Sequence, residues 1–185
     1  DHGCHFRTRN GEYKRSCHDG CLRIPLSVNG PGFSGGRVIP ELVSLIDLPK
    51  TVLTAAGARV PGDWRGNPLQ DLVHGTAAAW PQDVFAQISE SHVGRTIRTR
   101  KWKYAVGAPG IPGGKVAAAD RYLDTFLYDL ENDPHEQCNL VADPRFADVR
   151  QQLRRRLLER LREAGEAAAA IEPAAVQASP TGGAL

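Results

Sequence analysis

The stretch GRTIRTRKWKYAV, residues 94–106, decides the fold of the second half of the chain. It holds two strand-like runs, 94–99 and 102–106, separated by only two residues, and links this short join antiparallel strands. Similar runs of β-branched and aromatic residues lie at 84–88 and 126–130. Because the links between the first three runs are short, we predict four strands that form an antiparallel meander.

A helix is predicted after these strands. Asp143 is a good N-cap residue, and Pro144 suits the first helical position. We interpret the run at 154–156, three arginines, as the solvated face of this helix. Residues 166–185 contain few large apolar groups and are predicted to be a disordered tail. The apolar stripe that should pack on the sheet consists of Phe146, Val149, Leu153, Leu157, Leu158 and Leu161.

The first half of the chain has a different pattern. Residues 22–28 form a short strand-like run closed by a turn at 29–32. Residues 47–57 read as a helix, with an acidic cap, a proline in the first turn and a glycine just past the end. Residues 58–82 are rich in Gly, Pro, Asp and Asn and are predicted to be a loop with short helical turns.

Composition excludes some classes of partner. The 185 residues include 23 basic and 21 acidic side chains, a net charge of +2, which creates no strong field for nucleic acid or anionic lipid. No apolar run is long enough to cross a membrane. The chain starts at Asp1 and contains no methionine, so we interpret it as a fragment. Its compartment, whether periplasm, cytoplasm or outside the cell, is left open.

Residues 1–21 contain three of the four cysteines and three of the six histidines. A zinc-binding module would use Cys4, Cys17 and Cys21, with His5 or His18 as the fourth ligand. Structural zinc sites prefer two closely spaced ligand pairs, and here only Cys17 and Cys21 have that spacing. A non-catalytic Cys/His zinc module is therefore kept as an alternative rather than as the main interpretation.

The same segment resembles a known family. Asp1-His2-Gly3, then Lys14, Asp19-Gly20, Arg23-Ile24-Pro25 and Gly30-Pro31-Gly32 are similar to the block that opens the C-terminal third of sulfatases of the alkaline phosphatase superfamily. Later motifs of the family are resembled in the same order by residues 43–57, 95–104 and 126–140.

The resemblance implies the fold class and the domain organisation. The expected class is α/β: the C-terminal part of an alkaline-phosphatase-like α/β/α sandwich, followed by a small α+β unit with a four-stranded antiparallel sheet packed on a C-terminal helix. Residues 1–75 would be the truncated end of the catalytic domain. Residues 76–165 would be the sheet and helix, and residues 166–185 the tail.

The resemblance also implies site residues. Asp1 and His2 match the family's metal ligands, and Lys14 matches the lysine that contacts the sulfate. Calcium is the expected metal, although an imidazole ligand at His2 shifts the preference toward Mn²⁺ or Zn²⁺. His5, His18 and His92 are further candidates for substrate contacts, and so is Glu90. Roles in tying strand ends and turns together are expected for Arg95, Arg98, Asp129, Asp133, Glu136 and Asn139.

The family's activity is hydrolysis of sulfate esters or sulfamates by a formylglycine nucleophile. That residue arises in a C-x-P-x-R or S-x-P-x-R motif, and no cysteine of this chain begins such a motif. The nucleophile would belong to an N-terminal catalytic portion, which the chain would need as its partner to act on a small sugar or aryl sulfate. We expect this polypeptide alone to lack sulfatase activity. A phosphonate or phosphate ester hydrolase of the same superfamily is the alternative enzyme.

Overall fold

The computed structural model describes residues 2–173 of the chain. In that part the helices are α1 (Asp19–Leu22), α2 (Leu48–Ala55), α3 (Gln70–His74) and α4 (Ala147–Glu163). The strands are β1 (Asp83–Ile88), β2 (His92–Thr99), β3 (Trp102–Pro112), β4 (Arg121–Asp129) and β5 (Ala170–Glu172). Single 3-10 turns, Leu45–Asp47 and Pro144–Phe146, precede α2 and α4. None of these helices is long and apolar enough to span a bilayer.

The strands form one sheet in the order β1-β2-β3-β4-β5. The first four strands are an antiparallel meander, which confirms the prediction from the short links. Ile97 of β2 lies opposite Tyr104 of β3, and both side chains are fully buried. The fifth strand adds to the edge of β4 in the parallel direction.

Helix α4 packs on one face of the sheet. Asp143 caps the turn that leads into it, because its side chain accepts a hydrogen bond from the backbone N–H of Arg145. The predicted stripe is confirmed at Leu153, Leu157 and Leu161, which are buried at four-residue spacing. Leu153 and Leu157 belong to the main core, together with Val93, Ile97, Tyr104, Val106, Tyr122 and Leu127, and Leu161 is also buried.

The arginines of α4 do not form a purely solvated face, so that interpretation is wrong. Arg154 pairs with buried Asp124 at 2.8 Å, and Arg156 pairs with buried Asp83 at 2.6 Å. Arg160 reaches the other oxygen of Asp83 at 2.5 Å. Arg155 alone of the three-arginine run is exposed. The long arginine stems reach over the helix to carboxylates on the sheet, so charge assists the apolar packing.

The predicted disordered tail is wrong for its first residues. Arg95, almost completely buried on β2, makes a two-point ion pair with Glu166: Nε to Oε1 at 2.7 Å and Nη2 to Oε2 at 3.1 Å. The remaining guanidinium hydrogens go to the carbonyl oxygens of Ile88, Gly94 and Ala117. Ala170–Glu172 then forms β5. The buried guanidinium of Arg95 therefore holds residues 166–172 against the sheet. The rest of the predicted tail, residues 174–185, lies outside the described residues.

In the first half of the chain, the helix predicted at 47–57 is confirmed by α2. The strand predicted at 22–28 is wrong. Asp47 and Ser44 form a capping box before α2, and Gly57 follows the helix with a φ of +63°. Residues 23–29 are irregular. A strand needs a neighbouring backbone to pair with, and none of the strands at 83–172 is hydrogen-bonded to this segment as a sheet neighbour.

A buried ion network fastens the N-terminal segment to the other face of the sheet. Lys103 of β3 has no solvent exposure and donates to Glu136 at 2.5 Å and to Asp19. Asp19 also accepts from Arg98 of β2, at 3.0 Å. The backbone N–H of Asp19 donates to Glu136 at 2.9 Å. The network confirms the structural roles predicted for Arg98 and Glu136.

The turns after β4 confirm the other predicted structural residues. Asp129 accepts from the side chain of Asn132 at 2.9 Å. Asp133 accepts from two backbone N–H groups, of which that of Cys138 is at 2.8 Å. Asn139 accepts from the backbone N–H of Leu127 at 3.0 Å. These bonds fix the chain between the sheet and α4.

A second, smaller core lies on the same face as the ion network and includes a histidine. The ring of His18 packs 4.5 Å from that of Phe126, measured between centroids. Its two nitrogens lie 2.9 Å from the Ser16 hydroxyl and 3.2 Å from the Tyr128 hydroxyl. Burial lowers the pKa of His18 from its ordinary 6.5 to about 4, so His18 is neutral in the folded protein.

Replacing Lys103 with methionine should lower the free energy of unfolding by about 3 to 5 kcal/mol, because the buried carboxylate of Glu136 loses its cation. The matched control is Lys101→Met, two residues away, which removes an exposed pair with Glu131 and should change stability little. Denaturant unfolding of both variants measures the difference. Equal effects of the two changes would contradict the role given to Lys103.

Glu166→Gln should destabilise the fold by about 3 kcal/mol, because it leaves the buried guanidinium of Arg95 without its counter-ion. Glu172→Gln breaks an exposed pair with Arg121 in the same segment and should have little effect. Thermal unfolding of the two variants gives the comparison. A Glu166 variant as stable as the Glu172 variant would show that β5 docks without the ion pair.

The lowered pKa of His18 predicts a pH-dependent stability. Below pH 6.5 His18 becomes protonated in the unfolded chain, whereas in the folded protein it stays neutral until the pH falls to about 4. The contribution of His18 is therefore complete above pH 6.5 and is lost as the pH falls to about 4. His18→Gln should flatten the unfolding free energy over this window, as measured by urea titrations at several pH values. Parallel profiles for the two proteins would count against a neutral, buried His18.

Candidate functional site

Two of the predicted site residues, His2 and Lys14, meet in the structure. The ammonium of Lys14 donates to Nε2 of His2, with 2.9 Å between the two nitrogens. Nδ1 of His2 lies 2.8 Å from the carbonyl oxygen of Gly3. An ammonium can only donate and a carbonyl can only accept, so Nε2 is the acceptor and Nδ1 carries the proton. Asp1 lies outside the described residues.

The chain returns to His2 because of close backbone contacts. Gly3 donates its N–H to the carbonyl oxygen of Cys21 at 2.7 Å. A Cβ at Gly3 would lie 2.1 Å from the carbonyl oxygen of Gly20, so only glycine fits at this crossing. Further on, the N–H of His5 donates to the carbonyl oxygen of Tyr13 at 2.9 Å, which closes a loop and brings the next residue, the lysine, beside His2.

We call residues 4–15 the lysine loop. Near its beginning, Phe6 and Arg7 have φ values of +50° and +62°, the left-handed conformation that reverses the chain. Arg9 pins the loop to the turn after β4: its guanidinium donates to the carbonyl oxygens of Glu136, at 2.6 Å, and His135. The loop is thus held by the same turn that supplies a carboxylate to Lys103.

Arg15 fixes the other end of the lysine loop. It has a φ of +67° and pairs with Glu12 at 3.0 Å and with Glu90, in the β1–β2 turn, at 2.7 Å. No sequence pattern indicated Glu12 or Arg15, because charged residues in a polar loop follow no period. Lys14 therefore lies between the loop closure and an ion pair to the sheet.

His5 lies behind Lys14 rather than beside it. Its side chain is buried, and Nε2 donates to the carbonyl oxygen of Lys14 at 3.2 Å. Nδ1 is buried and has no hydrogen-bond partner among the atoms of residues 2–173. The hydrogen bond from Nε2 of His5 to the carbonyl oxygen of Lys14 helps to hold the backbone of Lys14 in place. Contact between His5 and a substrate stays a prediction.

His18 and His92 lie in a different place. Both line a cleft of about 480 Å³ between the lysine loop and the sheet, and its lining includes neither His2 nor Lys14. The ring nitrogens of His18 are paired with Ser16 and Tyr128. His92 has Nδ1 at 3.0 Å from the Ser91 hydroxyl, and burial lowers the pKa of its ring. Substrate contacts from these two histidines also stay predictions.

Residues 2–173 do not assemble a cluster of metal ligands. No three His, Cys, Asp or Glu side chains in that part of the chain lie close enough to hold a metal ion. Burial raises the pKa of the Cys17 thiol to about 12, so this thiol is protonated in the folded chain. The Cys/His zinc module is therefore wrong for the described residues. Nε2 of His2 is engaged by Lys14, and metal binding by Asp1 and His2 stays a prediction.

The family of the chain is shown by comparison with known proteins. Residues 11–163 match the family model described as N-sulphoglucosamine sulphohydrolase, C-terminal. Arylsulfatase K of Mus musculus is 27% identical over 153 residues, which cover 77% of this chain and 26% of that protein. The chain thus spans about a quarter of the length of this relative.

Solved structures agree with the fold. The structure of BT4656 in complex with its substrate D-glucosamine-2-N,6-O-disulfate has a TM-score of 0.53 and 23% identity, and covers 64% of this chain and 24% of that one. The phosphonate monoester hydrolase of Agrobacterium radiobacter has the same TM-score and identity, with 68% and 26% covered. At this identity the likeness concerns the fold alone. The shared fold is a mixed α/β chain that ends in a sheet and a helix. Because the family model matches most of its residues, the chain belongs to the family of C-terminal sulfatase portions typified by N-sulphoglucosamine sulphohydrolase.

Proposed function

We propose that this chain is the C-terminal part of a sulfatase that hydrolyses sulfate esters or sulfamates, and that Lys14 binds the sulfate group. The observation that carries the proposal is the contact between Lys14 and His2, 2.9 Å apart, at two positions of the family's motif. The motif alone could have been a frayed terminus and a solvated lysine. Instead, a closed loop presents the ammonium at a defined place.

The geometry of Lys14 suits an anion. An ammonium has three N–H donors, and one of them is used on His2. The other two can be offered to sulfate oxygens, where a positive charge stabilises the negative charge that builds up during sulfuryl transfer. The proton lies on Nδ1 of His2, where the Gly3 carbonyl accepts it, so Nε2 is the nitrogen that accepts from Lys14 and orients the lysine. His2 is in this respect a positioning residue.

The nucleophile would come from elsewhere in the polypeptide. We propose that an N-terminal catalytic portion supplies a formylglycine, the group that attacks sulfur in this family. A divalent metal, calcium in the first instance, would be held in part by Asp1 and would bind sulfate oxygens when present. His2 would join it as a ligand only by exchanging the Lys14 ammonium at Nε2 for the metal, so its positioning role and its metal-binding role exclude each other. The proposed roles of Lys14 in binding sulfate and of His2 in orienting Lys14 require neither the formylglycine nor the metal.

Several exposed apolar side chains support a partner on the first half of the chain. Val38 is 93% exposed, and Val52 is 65% exposed. Other exposed apolar side chains of this part are Leu26, Val28, Leu45 and Ile46. Exposed apolar surface of this extent is typical of an interface, and we propose that the N-terminal catalytic portion covers it. A small sugar or aryl sulfate is the proposed substrate.

Lys14→Ala in the intact protein should lower kcat for a sulfate ester by about 100- to 1000-fold, the loss typical of one removed charge-stabilising donor. Lys14→Arg should recover part of it, because a guanidinium keeps the charge but not the compact geometry. Lys101→Ala, an exposed lysine at the opposite end of β2, is the matched control and should leave kcat unchanged. Steady-state kinetics with 4-nitrophenyl sulfate measures all three.

Two outcomes would contradict the proposal. If Lys14→Ala retained full activity, Lys14 would not bind the sulfate. If the intact protein hydrolysed a phosphonate monoester much faster than any sulfate ester, the phosphonate hydrolase would replace the sulfatase. Circular dichroism of each variant confirms that the fold is kept.

A further inference from the structure

The turn between β1 and β2 is held rigidly against the next loop of the sheet. Gly114 donates its N–H to the carbonyl oxygen of Ser89 at 2.7 Å, and the Ser89 hydroxyl donates to that of Ala117 at 2.8 Å. A Cβ at Gly113 would lie 2.3 Å from the carbonyl oxygen of Glu90. The backbone of Glu90 therefore has a fixed position that depends on a glycine beneath it.

The side chain of Glu90 points toward the lysine loop. Its carboxylate oxygen Oε1 lies 2.7 Å from Nη2 of Arg15, the residue that follows Lys14. The Arg15 guanidinium lowers the pKa of Glu90, and the charge on Lys14 adds to this effect. The carboxylate is thus ionised at neutral pH. Because the Glu90 side chain is 66% exposed, it remains accessible to a molecule bound at Lys14.

We propose that Glu90 is a specificity-determining residue that sets which groups are accepted next to the scissile sulfate. Its fixed negative charge beside Lys14 favours substrates with a hydroxyl or an ammonium next to that sulfate and disfavours a second anionic group there. The inference rests on the proposed role of Lys14 as the sulfate contact. It assigns the substrate class as sulfated sugars whose neighbouring substituent is neutral or cationic.

The charges around Lys14 explain why one carboxylate has this effect. Lys14 attracts any sulfate, so the ammonium alone would favour the substrate with more negative charge. The charge on Arg15 is shared between Glu12 and Glu90, and neither carboxylate is buried. A second sulfate near the β1–β2 turn would meet the Glu90 carboxylate at close range. Like charges so placed repel, which gives discrimination by repulsion rather than by an added attraction.

Glucosamine 3-sulfate and glucosamine 2-N,3-O-disulfate are suitable probes, because the carbon next to the one that bears the 3-sulfate carries an ammonium in the first and an anionic sulfamate in the second. Calorimetry gives the dissociation constant of each with the intact protein, without need of turnover. The quantity compared is the ratio of the Kd for the disulfate to the Kd for the monosulfate. Glu90→Gln should lower this ratio about fivefold, the size of one screened charge pair.

Glu90→Lys should lower the ratio further, because it replaces repulsion of the second sulfate with attraction. The matched control is Glu131→Gln, an exposed carboxylate that pairs with Lys101 at the other end of β2. It should leave the ratio as in the wild type. Both glutamates are exposed, so neither change should unfold the protein, and thermal unfolding checks this.

The outcomes separate the inference from the proposed function. A ratio unchanged by Glu90→Gln would overturn the inference and leave the Arg15 pair as a structural contact only. Failure of the wild type to bind either sugar would overturn it as well. If instead the ratio changes as stated while the protein hydrolyses no sulfate ester, the proposed sulfatase activity fails and Glu90 still selects among bound anions.

Discussion

The arrangement of the chain depends on the ion pairs that the buried ammonium of Lys103 makes with Asp19 and Glu136. This ammonium joins three segments that are far apart in sequence: the strand that carries it, α1 through Asp19, and the turn after β4 through Glu136. A cation without solvent exposure must be fully paired, so this position tolerates few alternatives. Because the turn with Glu136 also holds Arg9, the same network fixes where the lysine loop lies.

Elements with a strong local signal could be predicted from the sequence. The four-stranded meander follows from alternating runs and short links, and α4 follows from the cap at Asp143 and its leucine stripe. Long-range pairing was not predictable. Arg154 and Arg156 look like solvated charges until the sheet brings Asp124 and Asp83 beneath them. The strand expected at 22–28 fails for the opposite reason, since it finds no backbone to pair with among the described strands.

The candidate site shows the same division. Lys14 and His2 could be named from motif spacing, but their contact depends on the loop closure between His5 and Tyr13, which no period signals. Arg15 was missed because its importance comes from a left-handed backbone and from Glu90 across the structure. Sequence patterns report which residues share an element, whereas a site built from a loop and a strand turn depends on how the elements meet.

The short strand β5 has a consequence for solubility. An edge strand presents a row of unpaired N–H and C=O groups, and such a row can recruit strands from other molecules. Ala170–Glu172 lies along the edge of β4, and Glu166 fastens the segment through Arg95. The last described residues of the chain therefore shield the first three residues of β4, Arg121 to Leu123, from pairing with a second copy. Natural variation that weakens the Arg95 pair would expose the edge and favour aggregation before it disturbed the site around Lys14.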